Sequence, residues 1–155
     1  MRMSRVKRLL VLGVVLTLSA CASRSVDTEL TRCVYPDSPR TPAPSFVCGE
    51  PVTGYPVSVL RSSEDSEQSV HERMQATLDD QVVRWSEQLA DDWYPDDASV
   101  NAQARAFLLD WLQDNARIVR SRVSPTATLW LLVGIPDNLN HLRQLTQDAL
   151  SNLPN

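Results

Sequence analysis

Few residues of this 155-residue chain have types and spacing that could do chemistry, and the clearest of them is a cysteine. Leu18-Ser19-Ala20-Cys21 follows a short leader in which Arg2, Arg5, Lys7 and Arg8 form a basic segment and Leu9 to Leu18 an apolar one. That stretch is too short for a spanning helix, and its order of basic, apolar and small residues is that of a secretory signal. Small residues ending in cysteine make a bacterial lipobox. The expected chemistry is cleavage before Cys21 and acylation of Cys21 as the new first residue. An ordinary signal peptide with an incidental cysteine and an uncleaved anchor are the alternatives. Several acyl chains on one residue meet the two-signal requirement for stable membrane attachment. Ala22, rather than aspartate, follows the cysteine, which in many Gram-negative cells permits export to the outer membrane.

Two further cysteines, Cys33 and Cys48, remain once Cys21 is acylated. In a compartment that oxidises thiols their default is a disulfide. A reactive thiol or metal ligand is the alternative, and it calls for a basic or histidine-rich neighbourhood that this stretch lacks.

The remaining candidates assemble no active site. His71-Glu72 resembles the start of a zinc-protease helix, but Gln75 stands where the second histidine belongs. His141 is the only other histidine, and both read as surface or helix-cap residues. Gly49, Gly54 and Gly134 are too scattered for a phosphate loop. Asp79-Asp80, Asp91-Asp92 and Asp96-Asp97 lack the spacing of a calcium loop and suit solvated helix ends. The sequence therefore predicts a protein that is not an enzyme and takes no metal or cofactor.

Charge excludes further classes. Four of the 15 basic residues lie in the leader and all 19 acidic ones after it, so the processed chain carries eleven arginines and a net charge of −8. This argues against nucleic acid, whose binding neutralises phosphates, and against electrostatic docking on anionic lipid. The acyl group is then the membrane device.

The elements that would position these residues follow from periodicity. Residues 21–32 are polar and aperiodic, which predicts a flexible tether. Pro36, Pro39, Pro42 and Pro44 predict an extended, polyproline-like spacer within a collar over residues 33–48. Tyr55 to Leu60 alternates as a first strand, with Val57 and Val59 on one face. Ser69 and Glu72 form a capping box for a long helix whose inward face is Val70, Met74, Leu78, Trp85, Leu89 and Trp93, with Val82 alongside. Arg73, Asp80, Arg84 and Glu87 fall on its other side. Pro95 breaks that helix, and Asp97 or Ser99 caps a second one with Val100, Ala104, Phe107, Leu108 and Trp111 inward. Residues 118–124 and 128–133 read as a hairpin, with Val119, Ser121 and Val123 on one face and Arg120 and Arg122 on the other. Asn138 caps a last helix, with Leu139, Leu142, Leu145 and Ala149 or Leu150 buried.

Strand, helix, helix, hairpin, helix predicts a single α+β domain over residues 33–155. It would have a small, mainly antiparallel sheet with helices packed on one face. Unless residues 46–53 add a fourth strand, the sheet has open edges that invite pairing with another chain. Of the four tryptophans, three fit inward faces, and Trp93 beside Tyr94 is the best surface-contact candidate. Arg120 and Arg122 are suited to a partner's carboxylates or to a solvated hairpin face.

Pro44-Ser45-Phe46-Val47-Cys48 and Pro51-Val52-Thr53-Gly54-Tyr55-Pro56-Val57-Ser58-Val59 resemble the opening of the twenty-kilodalton membrane-associated lipoprotein (LPP-twenty) family. Met74-Gln75-Ala76-Thr77 onward matches its long helix. Arg117-Ile118-Val119-Arg120 and Leu129-Trp130-Leu131-Leu132-Val133-Gly134 match its hairpin. The resemblance covers roughly residues 44–135. Leu60-Arg61-Ser62-Ser63, where the family has a glycine, and the break at Trp93–Asp97 depart from it. What the resemblance implies is an outer-membrane lipoprotein with an α+β domain and no catalytic residues; some relatives form rings around the flagellar motor. The expected partners are the membrane, through Cys21, and another envelope protein or a second copy of the chain. The alternative is a module that binds peptidoglycan or regulates its synthases.

Overall fold

A computed structural model describes residues 32–152. Cys21, the leader and the tether up to residue 31 lie outside the described residues. The compact unit begins at Cys33.

Its elements are β1 (Val34–Tyr35), β2 (Ser38–Pro42), a 3-10 turn (Ser45–Cys48), β3 (Val57–Ser63), α1 (Val70–Trp93), α2 (Ala98–Asn115), β4 (Arg117–Val123), β5 (Leu129–Ile135) and α3 (Leu139–Ser151). The fold is a small α+β fold, with two antiparallel sheets: the ribbon β1-β2 and a three-stranded sheet in the order β3-β5-β4.

Local chemistry starts each helix. Ser69 and Glu72 make the reciprocal capping box of α1, Asp97 accepts from the N–H groups of Ser99 and Val100, and Asn138 accepts from that of His141. These caps satisfy amides that have no partner within the helix. The connection through Tyr94–Asp97 folds α2 back onto α1, and α3 packs against α2. Val82, Trp85 and Leu89 of α1, Ala104, Leu108 and Leu112 of α2, and Leu142 of α3 close over Val133 and Ile135 of β5. Val57 and Val59 join this core from β3.

β5 is central, and it is buried from Leu131 to Ile135 on both faces. Its Val133 and Ile135 meet the helices. Leu132 and Trp130 point the other way, into a second cluster with Tyr35, Phe46 and Val47. The proline-rich collar is therefore not a spacer. Its chain turns at residues 36–37 into a ribbon, and the 3-10 turn, ended by Gly49 in the left-handed region (φ 85°), lays Phe46 and Val47 on the sheet. Cys33 and Cys48 stand at disulfide distance, with Cα atoms 5.8 Å apart, and close this cover. Pro39 and Pro42 fit because β2 has one free edge, where missing N–H donors cost nothing.

Three local expectations are corrected. The inward face of α1 holds at Val82, Trp85 and Leu89 but departs in its first turn, where Val70 is exposed and Arg73 is buried. Leu139 is exposed, and Thr146 takes an inward place in α3, its hydroxyl donating to the Leu142 carbonyl at 2.8 Å. β4 carries a bulge between Ile118 and Arg120, so strict alternation fails there. Val119 packs with the collar cluster, while Val123 is exposed. Residues 46–53 add no strand, and among the described residues β3 and β4 have open outer edges.

Candidate functional site

Trp93 and Tyr94, at the end of α1, are half-buried and packed against the helix-side core. The Arg143 guanidinium lies 6.0 Å from the Trp93 ring centroid, at the outer reach of a cation–π contact. Asn101 Nδ2 donates to Asp91 Oδ1 at 2.9 Å and to the Tyr94 carbonyl at 3.4 Å, which ties the corner to α2. The Tyr94 hydroxyl is sealed from solvent with no hydrogen-bond partner, and burial pushes its pKa up.

Arg120 and Arg122 are exposed on β4, opposite Leu132 and Trp130, and so share the collar's side of the sheet. Trp93 and Tyr94 belong to the helix side. The structure does not bring the two pairs together into one surface.

The acidic and histidine candidates are likewise dispersed. Asp97 is spent on its cap, Asp80 pairs with Arg84, and Asp91 and Asp92 line an open cleft with Trp85 and Leu139. His71 is exposed. His141 Nδ1 lies 2.5 Å from Asp137 Oδ2, and that hydrogen bond holds the Asp137 carboxyl below its ordinary range. Among the described residues no group of three His, Cys, Asp or Glu is placed to hold a metal ion, and no helix is long and apolar enough to cross a membrane.

Two polar constellations went unread in the sequence. The first joins the collar to the sheet. Asp37, in the turn between β1 and β2, accepts from the hydroxyls of Ser124 and Thr126 and from Trp130 Nε1 at 3.1 Å. Burial pushes the Asp37 carboxyl up, but hydrogen bonds from Ser124, Thr126 and Thr128 outweigh it and hold the carboxyl well below its usual range. Three of the protein's own donors converge on the Asp37 carboxylate. This arrangement fastens the collar to the sheet.

The second is a polar cleft of about 460 Å³ between the end of β3 and the first turns of α1, lined among others by Arg61, Ser63, Asp65, Arg73, Asp80 and Arg84. Arg73 reaches under the β4–β5 turn. Its Nε donates to Ser63 Oγ at 3.2 Å, and its Nη2 donates to the carbonyls of Ser63 and of Ala127, the latter at 3.2 Å. Arg61 Nε donates to Gln81 Oε1 at 2.5 Å. Arg61 sits in a strand and Arg73 in a helix, twelve positions apart in the sequence, so no local spacing connects them. Gln81, a polar residue among the apolar ones of the inward face of α1, was a signal available.

No family model, curated protein or solved structure matches this chain. The molecule is thus defined by its own geometry: a small α+β domain with a disulfide-distance collar over one face of its sheet, helices over the other, and an arginine-lined cleft at the seam.

Proposed function

We propose that the chain is a lipid-anchored protein of the bacterial outer membrane with a non-enzymatic role, holding its α+β domain where it contacts another envelope protein or a second copy of itself. The observation that carries this reading is the Cys33–Cys48 pair, 5.8 Å apart at the Cα atoms. A disulfide at the entry to the fold suits an oxidising compartment, which is where the Leu18-Ser19-Ala20-Cys21 leader would deliver the chain. Both features suit export to an oxidising compartment.

The mechanism is tethering. Acyl chains on Cys21 hold the amino terminus at the bilayer, and the polar segment to residue 32 gives the domain reach. The open edges of β3 and β4 offer backbone donors and acceptors to a partner strand, with Arg120 and Arg122 beside the β4 edge. Trp93 and Tyr94 offer a separate contact on the helix side.

Membrane fractionation of the native protein beside a Cys21→Ser variant tests the anchor. The native protein is expected in the outer-membrane fraction and the variant unprocessed or released. A variant that matures and partitions like the native protein contradicts the proposal. Crosslinking in intact cells tests the contact role: a discrete adduct, homomeric or heteromeric, is expected, and its absence together with a monomeric extracted protein removes that part.

A further inference from the structure

We propose that the cleft between β3 and α1 binds a carboxylate through the guanidinium groups of Arg61 and Arg73. Arg73 is only 5 % exposed, yet among the described residues its acceptors are all neutral: one serine hydroxyl and two backbone carbonyls. Among the described residues it has no carboxylate within salt-bridge distance, whereas Arg84 has Asp80 and Arg105 has Glu87. A buried cation without a counter-charge is costly, and a bound anion would offset that cost.

The donor inventory locates where the anion sits. A guanidinium carries five N–H groups. Those of Arg73 Nε and Nη2 go to Ser63 and Ala127, and among the described residues no atom accepts from Nη1. Nη1 is not sealed in, because the Tyr94 hydroxyl is the one side-chain polar atom among the described residues that is both sealed and unpartnered. Arg73 lines the cleft, so Nη1 has the cleft to face. Arg61 is fixed through Nε to Gln81, itself 1 % exposed, and among the described residues neither of its Nη groups has an acceptor. Two guanidinium forks, each anchored by its other nitrogens, therefore border one space with unused donors.

Charge selects the ligand. Arg84 is compensated by Asp80, and Asp65 also lines the cleft. Three arginines against two aspartates leave room for one negative charge. A planar monoanionic carboxylate matches the fork geometry of arginine. A doubly charged phosphate would face Asp65 and Asp80. A carboxylate monoanion is the ligand class that fits, with a peptide C-terminus as the probe, and this site is independent of the lipid anchor.

The test titrates the detergent-solubilised full-length protein with N-acetyl-alanyl-alanine, its C-terminal amide, and inorganic phosphate, following arginine Nε–Hε signals by NMR. Saturable shifts at Arg61 and Arg73 with the free acid, none with the amide, and unshifted Arg105 and Arg143 are expected. Arg61→Gln, which alters a half-buried position rather than the buried Arg73, is expected to weaken the acid about tenfold while the remaining spectrum stays that of the native fold. Absence of saturation, equal response to the amide, tighter binding of phosphate, or undiminished binding by Arg61→Gln each overturns the proposal.

Discussion

Asp37 accepts the indole N–H of Trp130 at 3.1 Å across 93 residues of sequence, joining the tip of the collar ribbon to the central strand of the main sheet. With the hydroxyls of Ser124 and Thr126 on the same carboxylate, it turns a proline-rich segment into the cover of an apolar surface.

Asp37→Ala is therefore expected to destabilise the domain by about 1 to 3 kcal/mol, the cost of losing hydrogen bonds to a charged group. The urea midpoint measures it. A pH dependence accompanies the loss. Because the folded state holds this carboxyl below its unfolded value of about 3.9, the unfolded chain takes up the proton first. The contribution is complete above that value and is lost as pH falls below it toward the folded pKa. Asp37→Ala should lack this share of the native protein's acid sensitivity.

Reduction of the Cys33–Cys48 pair, or its replacement by serines, is expected to cost about 3 kcal/mol for a loop of this length. Trypsin reads the consequence locally. Arg40 is exposed but held in β2, so cleavage after it should be slow in the oxidised protein and fast after reduction.

Gly134→Ala tests the packing of the collar face. A Cβ there would lie 2.8 Å from Val119 Cγ2 and 2.9 Å from Tyr55 Cδ1. Overpacking of this kind costs about 1 to 3 kcal/mol. Combining it with Val119→Ala, which opens the space, should be less than additive in thermal melts.

Tyr94→Phe has the opposite expected sign. The buried hydroxyl makes no hydrogen bond, so removing it ends a desolvation penalty. Stability should stay level or rise by about 1 kcal/mol. A clear loss in the denaturation midpoint would show that this hydroxyl has a partner in the folded protein.

Helix starts were legible because caps are local: Ser69 with Glu72, Asp97 and Asn138 each act within three residues. The strands were legible from β-branched runs, and Val57 and Val59 do share a face. Features that depend on distant partners were not. Arg73 reads as a solvated residue until the carbonyls of Ser63 and Ala127 are brought over it. Val119 reads as one face of an alternating strand until the bulge displaces it. Tyr35, Phe46 and Val47 are too few and too irregularly spaced to announce a buried face, so the prolines around them dominate the reading. The arginine cleft failed for the same reason, since its two forks come from different elements.

Intact mass spectrometry of the membrane-extracted protein, without reduction, tests the central claim most directly. The account predicts a chain that begins at Cys21, carries the added mass of several acyl chains, and is lighter by two hydrogens for a closed Cys33–Cys48 bond. A chain that retains residues 1–20, or one that begins at Cys21 without lipid, would contradict it.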